Sequence, residues 1–574
     1  MNSKPNIVLI LNDDMGYSDI GCYGGEIDTP NLDRLAANGL RFSQFYNTAR
    51  CSPSRASLLT GLHPHQTGIG VLTYDFGPEG YSGDLSARCV TIPEALKASD
   101  YKTYMSGKWH VASNLVQPTG SWPLQRGFDE FFGTIIGAGS FYDPNTLTRG
   151  NENVEHEAKE DDAFFYTDAI SDQAVRYILD HQQRHAGTPF FEYVAYTAPH
   201  WPLHAHDSDI ARYKGRFDKG WDALREERLQ RLVDSGLLDK AWKLTERDET
   251  QPPWTQAEQR QWLLRCMEVY AAQIDRMDQG IGRIVDALEK TGQLENTLII
   301  FLSDNGACAE DIPEGVTVDE LVNKLMIAKS HTRKGTPVQF GNNPALMPGP
   351  EDTYQSYGTA WANLSNTPFR LYKHWIHEGG ISTPLILHWP DGIRDKGAIR
   401  HAPGYLPDIM ATILDVTGTR YPEERDGHAI APLEGTSLTS VIDQDQAARP
   451  AMFWEHEGNA AVRIGRWKLV KKFPGPWELY DMESDRTELT DLADRHPERV
   501  ADMAEQYGAW AARCGVIPRE KILDLMRQQN SPPAFWEKEA VPAACRDAGG
   551  RDAGDPDDRA PGAEGRGSGS PSPT

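Results

Sequence analysis

Apolar runs of strand length alternate with helix-period segments from the start of the chain to about residue 445. This alternation constrains the fold more than any other feature, because each helix between two strands crosses back over the sheet and covers one of its faces. The buried strands expected are "NIVLILN" (6–12), "KTYMSG" (102–107), "PFFEYVAYT" (189–197), "NTLIIFLSD" (296–304) and "TPLILHW" (383–389). "TPNLDRLAANG" (29–39) predicts a helix with Thr29 as N-cap, Pro30 at the first helical position and Gly39 as the stop. Ile274, Met277, Ile281, Ile284 and Leu288 repeat at helical spacing within 273–292 and predict a second helix. The fold class is therefore α/β.

Two regions interrupt the rhythm. Residues 203–260 are charged, dotted with Trp and read as helical, whereas residues 309–365 are rich in Gly, Pro, Asn and Thr and read as long loops. Long insertions in a compact domain usually carry function, so both are expected to form substrate-facing walls. Trp361 and Trp375 are candidates for an aromatic wall suited to a phenyl ring. From 448 the texture changes: "AMFWEHEGNAAVRIGRWKLVKK" reads as short antiparallel strands and "PERVADMAEQYGAWAARCG" as an amphipathic helix. The expected division is a 1–447 α/β domain, a smaller 448–544 α+β domain, and a 545–574 tail that lacks core-forming residues and should be disordered.

A chain of 574 residues supports a large core and more than one domain. Its formal net charge of -25 argues against nucleic acid as a partner, since phosphate contacts need clustered Lys and Arg. Cysteines at 22, 51, 89, 266, 308, 514 and 545 are scattered, with no C-x-x-C pair, which fits a reduced compartment better than a disulfide framework. The run Ile7–Leu11 is too short for the core of a secretion signal, and no stretch reaches the length of a membrane span. A cytoplasmic location without a membrane partner is expected, or a periplasmic one if a leader has been removed.

Open α/β sheets bind ligands beyond the carboxyl ends of their strands. Asp13 and Asp14 follow the first strand, Lys108 and His110 the "KTYMSG" strand, His200 the "PFFEYVAYT" strand, and Asp304 and Asn305 the "NTLIIFLS" strand. Lys373, His374 and His377 precede "TPLILHW". Singly, each has a structural explanation as turn, cap or surface charge. Together, the acids and the amide offer an all-oxygen shell suited to calcium or magnesium rather than zinc. Two lysines, two histidines and Arg55 would surround an anion held against that metal, as in transfer of a phosphoryl-like or sulfuryl-like group. "NTARCSPSRASLLTG" (47–61) adds a cysteine at a cationic helix mouth, with neither a disulfide partner nor further thiolates at hand.

With "LNDDMGYSDIGCYGG", "RCSPSRASLLTG", "GKWH", "APHWP", "SDNG" and "YKHWIHEGGISTP" in this order, and "ELYDMESDRTEL" beyond them, the chain resembles the type I sulfatases of the alkaline-phosphatase-like superfamily. Among these it is similar to bacterial arylsulfatases. The resemblance implies a large mixed central sheet flanked by helices, with a smaller C-terminal α+β domain. It implies that a separate formylglycine-generating enzyme reads C-x-P-x-R and oxidises Cys51 to Cα-formylglycine. One oxygen of the hydrated aldehyde would attack sulfur, and the other would expel sulfate by breaking C–O, an exit that a sulfated serine lacks.

The matched motifs further imply that Asp13, Asp14, Asp304 and Asn305, with an oxygen of residue 51, bind calcium ahead of magnesium, and that Arg55 orients residue 51. They imply that Lys108 and Lys373 clamp the sulfate, that His200 with Lys373 protonates the leaving group, and that His110 is the base for elimination. His374 and His377 match no required position and are left structural. The implied activity is hydrolysis of small-molecule sulfate esters, aryl sulfates foremost. The alternatives are a phosphonate monoester or phosphodiester hydrolase of the same superfamily and an unmatured calcium-binding scaffold.

Overall fold

The computed structural model describes residues 4–446 and 449–528. The tail expected from 545 lies outside the described residues, as do 529–544 of the expected C-terminal domain. Ten strands form the main sheet: β1 (Asn6–Asn12), β2 (Leu40–Phe42), β3 (Lys102–Gly107), β4 (Glu130–Thr134), β5 (Leu147–Arg149), β6 (Glu152–Asn153), β7 (Phe190–Ala195), β8 (Thr297–Ser303), β9 (Leu385–His388) and β10 (Ala398–Arg400). Their order is β10-β2-β9-β8-β1-β7-β3-β4-β5-β6. The central run β8-β1-β7-β3-β4 is parallel. β9 is antiparallel to β8 and β2, and β5 and β6 continue antiparallel at the opposite end. The sheet is therefore mixed.

β1 shows why the sheet is covered on both sides. Side chains alternate across a strand, and here both sets are apolar: Val8 and Ile10 enter one core, Ile7, Leu9 and Leu11 the other. The first core receives α1 (Pro30–Ala37), α3 (Tyr166–Arg184), α4 (Gly220–Asp234), α5 (Arg260–Lys290) and α6 (Gly358–Ser365). The second receives α2 (Cys51–Thr60) and α7 (Asp408–Thr417).

A second sheet of four antiparallel strands, β11 (Met452–His456), β12 (Asn459–Ile464), β13 (Trp467–Lys471) and β14 (Glu478–Asp481), runs in sequence order. One face, with Trp454, Ala461, Val470 and Tyr480, packs on Tyr46, Ile376, Ile381 and Tyr405. The other packs on Met503 of α8 (Pro497–Cys514), and α9 (Arg519–Gln528) follows. No helix among the described residues is long and apolar enough to cross a membrane, and the six described cysteines are free.

Several expectations change in detail. The Thr29 hydroxyl accepts the Gly21 N–H and donates to Asp33 instead of capping α1. α1 ends at Asn38, and Gly39 is required because a Cβ there would lie 2.1 Å from the Leu387 carbonyl. α5 starts 13 residues before the predicted 273, its extra turns buried through Trp262, Cys266, Met267 and Tyr270. The 203–260 region is no substrate wall: Ile210, Tyr213, Phe217, Trp221, Leu224 and Leu232 are buried in the α5-side core. Trp361 is buried with them, against Trp221, Trp254 and Phe217. The 309–365 region is more ordered than long loops, with α6 and a π-helical turn at Asp319–Lys324.

Candidate active site

The site forms where the parallel strands end. β1 and β8 pair in register to Asn12 opposite Ser303, which brings the two acidic pairs that follow them side by side. The Asp304 N–H donates to the Asn12 carbonyl (3.1 Å), and the Asp14 N–H donates to Asp304 Oδ1 (3.2 Å). Asp14 turns the chain with φ of 70°, a conformation uncommon outside glycine. Asn305 Nδ2 donates to Asp14 Oδ1 at 2.7 Å. Asp13, Asp14, Asp304 and Asn305 are all buried.

This donor set fits a hard divalent cation. Asp13 Oδ1 and Asn305 Oδ1 are buried oxygens without a hydrogen-bond partner, and unsatisfied buried oxygens are costly unless something positive meets them. Burial works against the charge on Asp13, but Lys108, His200, Arg55 and Lys373 hold its carboxyl well below the usual range. Burial, and then repulsion from Asp13, drive Asp304 well above it. A 2+ ion among these carboxylates would relieve both penalties. Carboxylate oxygens of Asp13 and Asp14 and a ring nitrogen of His200 also lie within 4.8 Å of one another.

Cys51 is the first residue of α2, not the residue ahead of the helix. Residues one helical turn apart share a face, so Arg55 lies beneath it. The fully buried Arg55 guanidinium donates to Asp304 Oδ2 (3.0 Å) and the Lys108 carbonyl (3.1 Å), and stands 3.6 Å from Asp13 Oδ2. Between them, the Ser54 hydroxyl donates to the Asp304 carbonyl at 2.5 Å. The C-x-P-x-R spacing thus joins α2 to the β8 tip. Cys51 is 3% exposed, and burial pushes its thiol up despite nearby Lys108 and Lys373.

The cations and histidines close the ring. Lys108 Nζ donates to Asp13 Oδ2 at 2.5 Å, and Lys373 Nζ to Asp14 Oδ2 at 2.9 Å. Burial opposes the charge on Lys373, but Asp14 and its other anionic neighbours keep it firmly protonated. His200 Nδ1 meets the Trp201 carbonyl at 2.6 Å, leaving Nε2 facing Lys373 Nζ at 3.4 Å. His110 adopts φ of 55° with Nδ1 buried and unpartnered. Burial, then Lys108 and Arg55, hold it neutral. Gly137 makes room for its ring, since a Cβ there would lie 2.1 Å from His110 Cε1.

All ten sequence-predicted site residues therefore meet. Cys51, His110, His200 and Lys373 line one cavity of about 250 Å³, and the other six stand behind it through the bonds just described. His374 faces Glu457, and His377 faces Glu478, at 3.5 and 3.3 Å. Neither lines the cavity, nor does Trp375. The 309–365 region does supply part of the outer wall, through Glu310, Lys324, Leu325 and Ile327, but sequence reasoning named none of the wall's residues. There Arg50 donates to Glu310 Oε1 (2.6 Å) and Trp201 Nε1 to Glu310 Oε2 (3.0 Å), with Tyr74, Leu115, Ile136, Leu325 and Ile327 around them. Trp201 was within reach as part of "APHWP"; nothing local marks Glu310.

A mixed sheet whose strand tips gather carboxylates, lysines and a helix-borne cysteine has the donor set for a divalent cation and the positive charge to hold an anionic ester. The family model "Sulfatase" matches residues 5–419, and "N-sulphoglucosamine sulphohydrolase, C-terminal" matches 369–507. The chain belongs to the sulfatase family, and its chemistry is hydrolysis of sulfate esters. It is 31% identical to an uncharacterized sulfatase of Schizosaccharomyces pombe over 90% of this chain and 95% of that one. It is 32% identical to an arylsulfatase of Klebsiella aerogenes over 78% and 94%. The crystal structure of Ps i-CgsB superposes with a TM-score of 0.63 and 25% identity, covering 92% and 98% of the two chains.

Proposed function

We propose that the protein hydrolyses aryl sulfates with Cys51 matured to Cα-formylglycine by a separate enzyme, and with calcium held by Asp13, Asp14, Asp304, Asn305 and the matured residue. The observation that carries this reading is Cys51 itself: a buried, uncharged thiol lining the cavity at the mouth of α2, one helical turn from the Arg55 that is bonded to Asp304. A thiol kept protonated is a poor nucleophile, so the position suits a converted side chain better than a cysteine. The matured residue supplies a geminal diol, and the cation supplies positive charge beside it.

The chain's own groups divide the remaining work. Arg55 and the first turn of α2 fix residue 51 against the β8 tip. Lys108 and Lys373 present ammonium groups to the sulfate oxygens. His200, its Nε2 3.4 Å from the Lys373 ammonium, is placed with Lys373 to protonate the departing oxygen. His110, held neutral, would be the base for a proton on the matured residue's second hydroxyl. Leu72, Leu115, Ile136 and Trp201 offer an apolar surface to an aryl ring.

Mass spectrometry of the tryptic peptide "CSPSR" from the native host, with parallel assays on 4-nitrophenyl sulfate and a nitrophenyl phosphonate ester, tests this reading. Aldehyde at residue 51 and a dominant sulfate rate are expected. A dominant phosphonate rate would move the protein to the related esterases, and unmodified cysteine with no turnover would leave a cation-binding scaffold.

A further inference from the structure

The wall facing Cys51 across the cavity belongs to neither of the two sheet-face cores. Ile312, Leu321, Ile327, Ala328 and Tyr354 form a separate buried cluster with Ile136 and Trp201, and Leu115, Ala138 and Leu325 pack against it half-buried. Six of these residues also line the cavity: Ile136, Trp201, Ile327, Leu115, Ala138 and Leu325. The floor of the cavity is thus charged, and its wall joins a hydrocarbon stretch to the Arg50–Glu310 pair, Lys324, Thr73 and Ser113.

The apolar character continues outward. Among the described residues, six large hydrophobic side chains are strongly exposed; Tyr74 (37%) lines this cavity, and Val116 (66%) directly follows the lining residue Leu115. Exposed apolar residues are ordinary singly; these two extend the hydrocarbon stretch of a cavity already lined on that side by apolar groups. Charged groups in the wall are already engaged. Both Glu310 oxygens accept bonds, from Arg50 and Trp201, and Lys324 Nζ is 3.0 Å from Asp319. A sugar hydroxyl placed here would lose water without an equal return.

We infer that the favoured substrates are sulfate esters of extended apolar phenols or alcohols, whose hydrocarbon portion leaves the first ring and lies along the Leu115–Leu325–Ile327 wall toward Tyr74. This inference rests on the aryl sulfatase reading and narrows it. Each methylene that leaves water is worth about 0.8 kcal/mol, or about fourfold in kcat/KM.

The test is a series of 4-alkylphenyl sulfates, from methyl to hexyl, assayed by sulfate release with the purified, matured enzyme. The leaving phenols have nearly equal acidity, so the series reports contact with the wall rather than chemistry. We expect kcat/KM to rise by up to about fourfold per carbon over the first carbons and then level off. Leu325→Ser should flatten the slope, and Val116→Ser, at an exposed position beside Leu115, should lower the plateau. A flat or falling series, with 4-methylphenyl sulfate still hydrolysed, would overturn the inference and leave the aryl reading intact. So would faster turnover of glucosamine 6-sulfate. No turnover of any aryl sulfate by enzyme carrying the aldehyde would overturn both.

Discussion

Arg55 is fully buried and holds Asp304 Oδ2 and the Lys108 carbonyl with separate nitrogens of one guanidinium. A lysine ammonium has no such fork, so Arg55→Lys should lower kcat/KM for 4-nitrophenyl sulfate by about 10²-fold or more. Gly137→Ala should lower kcat at least about tenfold with the fold retained by circular dichroism, because the new methyl would drive the His110 ring from its place. His204 supplies a pH prediction away from the chemistry. Its Nδ1 accepts the Phe141 N–H and its Nε2–H donates to the Thr353 carbonyl, and burial lowers it from 6.5 to about 4. The unfolded chain therefore takes up this proton first. The stability it contributes is complete above 6.5 and is lost as pH falls toward 4, by at most about 3 kcal/mol. Urea unfolding at pH 7 and 4.5 should show a smaller difference for His204→Gln than for the parent. At this scale the ten site residues were legible because each directly follows a strand or sits in a short motif. Arg50 and Glu310, 260 positions apart, leave no such trace, because only the fold makes them neighbours.

Among the elements, the loop that carries Lys373 is gripped from the small sheet. Lys468 of β13 is buried between Glu378 and Glu488, at 2.9 and 2.8 Å, and Arg486 donates to Glu378 and Ser382. Removing one partner of a buried charge network leaves the others uncompensated. Lys468→Met should therefore destabilise the protein by about 3–5 kcal/mol, read as a lower urea midpoint, whereas Lys471→Met on the half-exposed end of the strand should change it by less than about 0.5 kcal/mol. The "ELYDMESDRTEL" motif thus has a structural meaning that its sequence did not disclose. Long elements with a clear period, such as α5 and β1, were legible. β2 and β10, three residues each, are too short for any period to show. The 203–260 region misled because its Trp and Leu residues face inward, and some of its charges, such as Arg228 against Asp19 and Glu26, are buried in ion pairs.

For the whole molecule, the parallel centre follows from strands separated by helices, whereas the antiparallel flanks follow from no local pattern. They depend on where strands join the sheet: β9 between β2 and β8 at one end, β5 and β6 beyond β4 at the other. The carboxylates gathered at the strand tips make stability depend on the cation. EDTA should lower Tm and abolish turnover, and calcium should restore both. At a hundredfold excess over its Kd the ion adds about 2.7 kcal/mol, readable by differential scanning fluorimetry. The last described helix has its own consequence. Leu72 and Phe76 pack with Cys51 on one side and with Ile522, Leu523 and Met526 of α9 on the other, and the Tyr81 hydroxyl receives the Ile517 N–H at 3.1 Å. A copy ending at Cys514 would keep every reactive side chain and both sheets. Its reaction chamber would lose the packing behind Leu72, a residue of its lining, and that side should loosen.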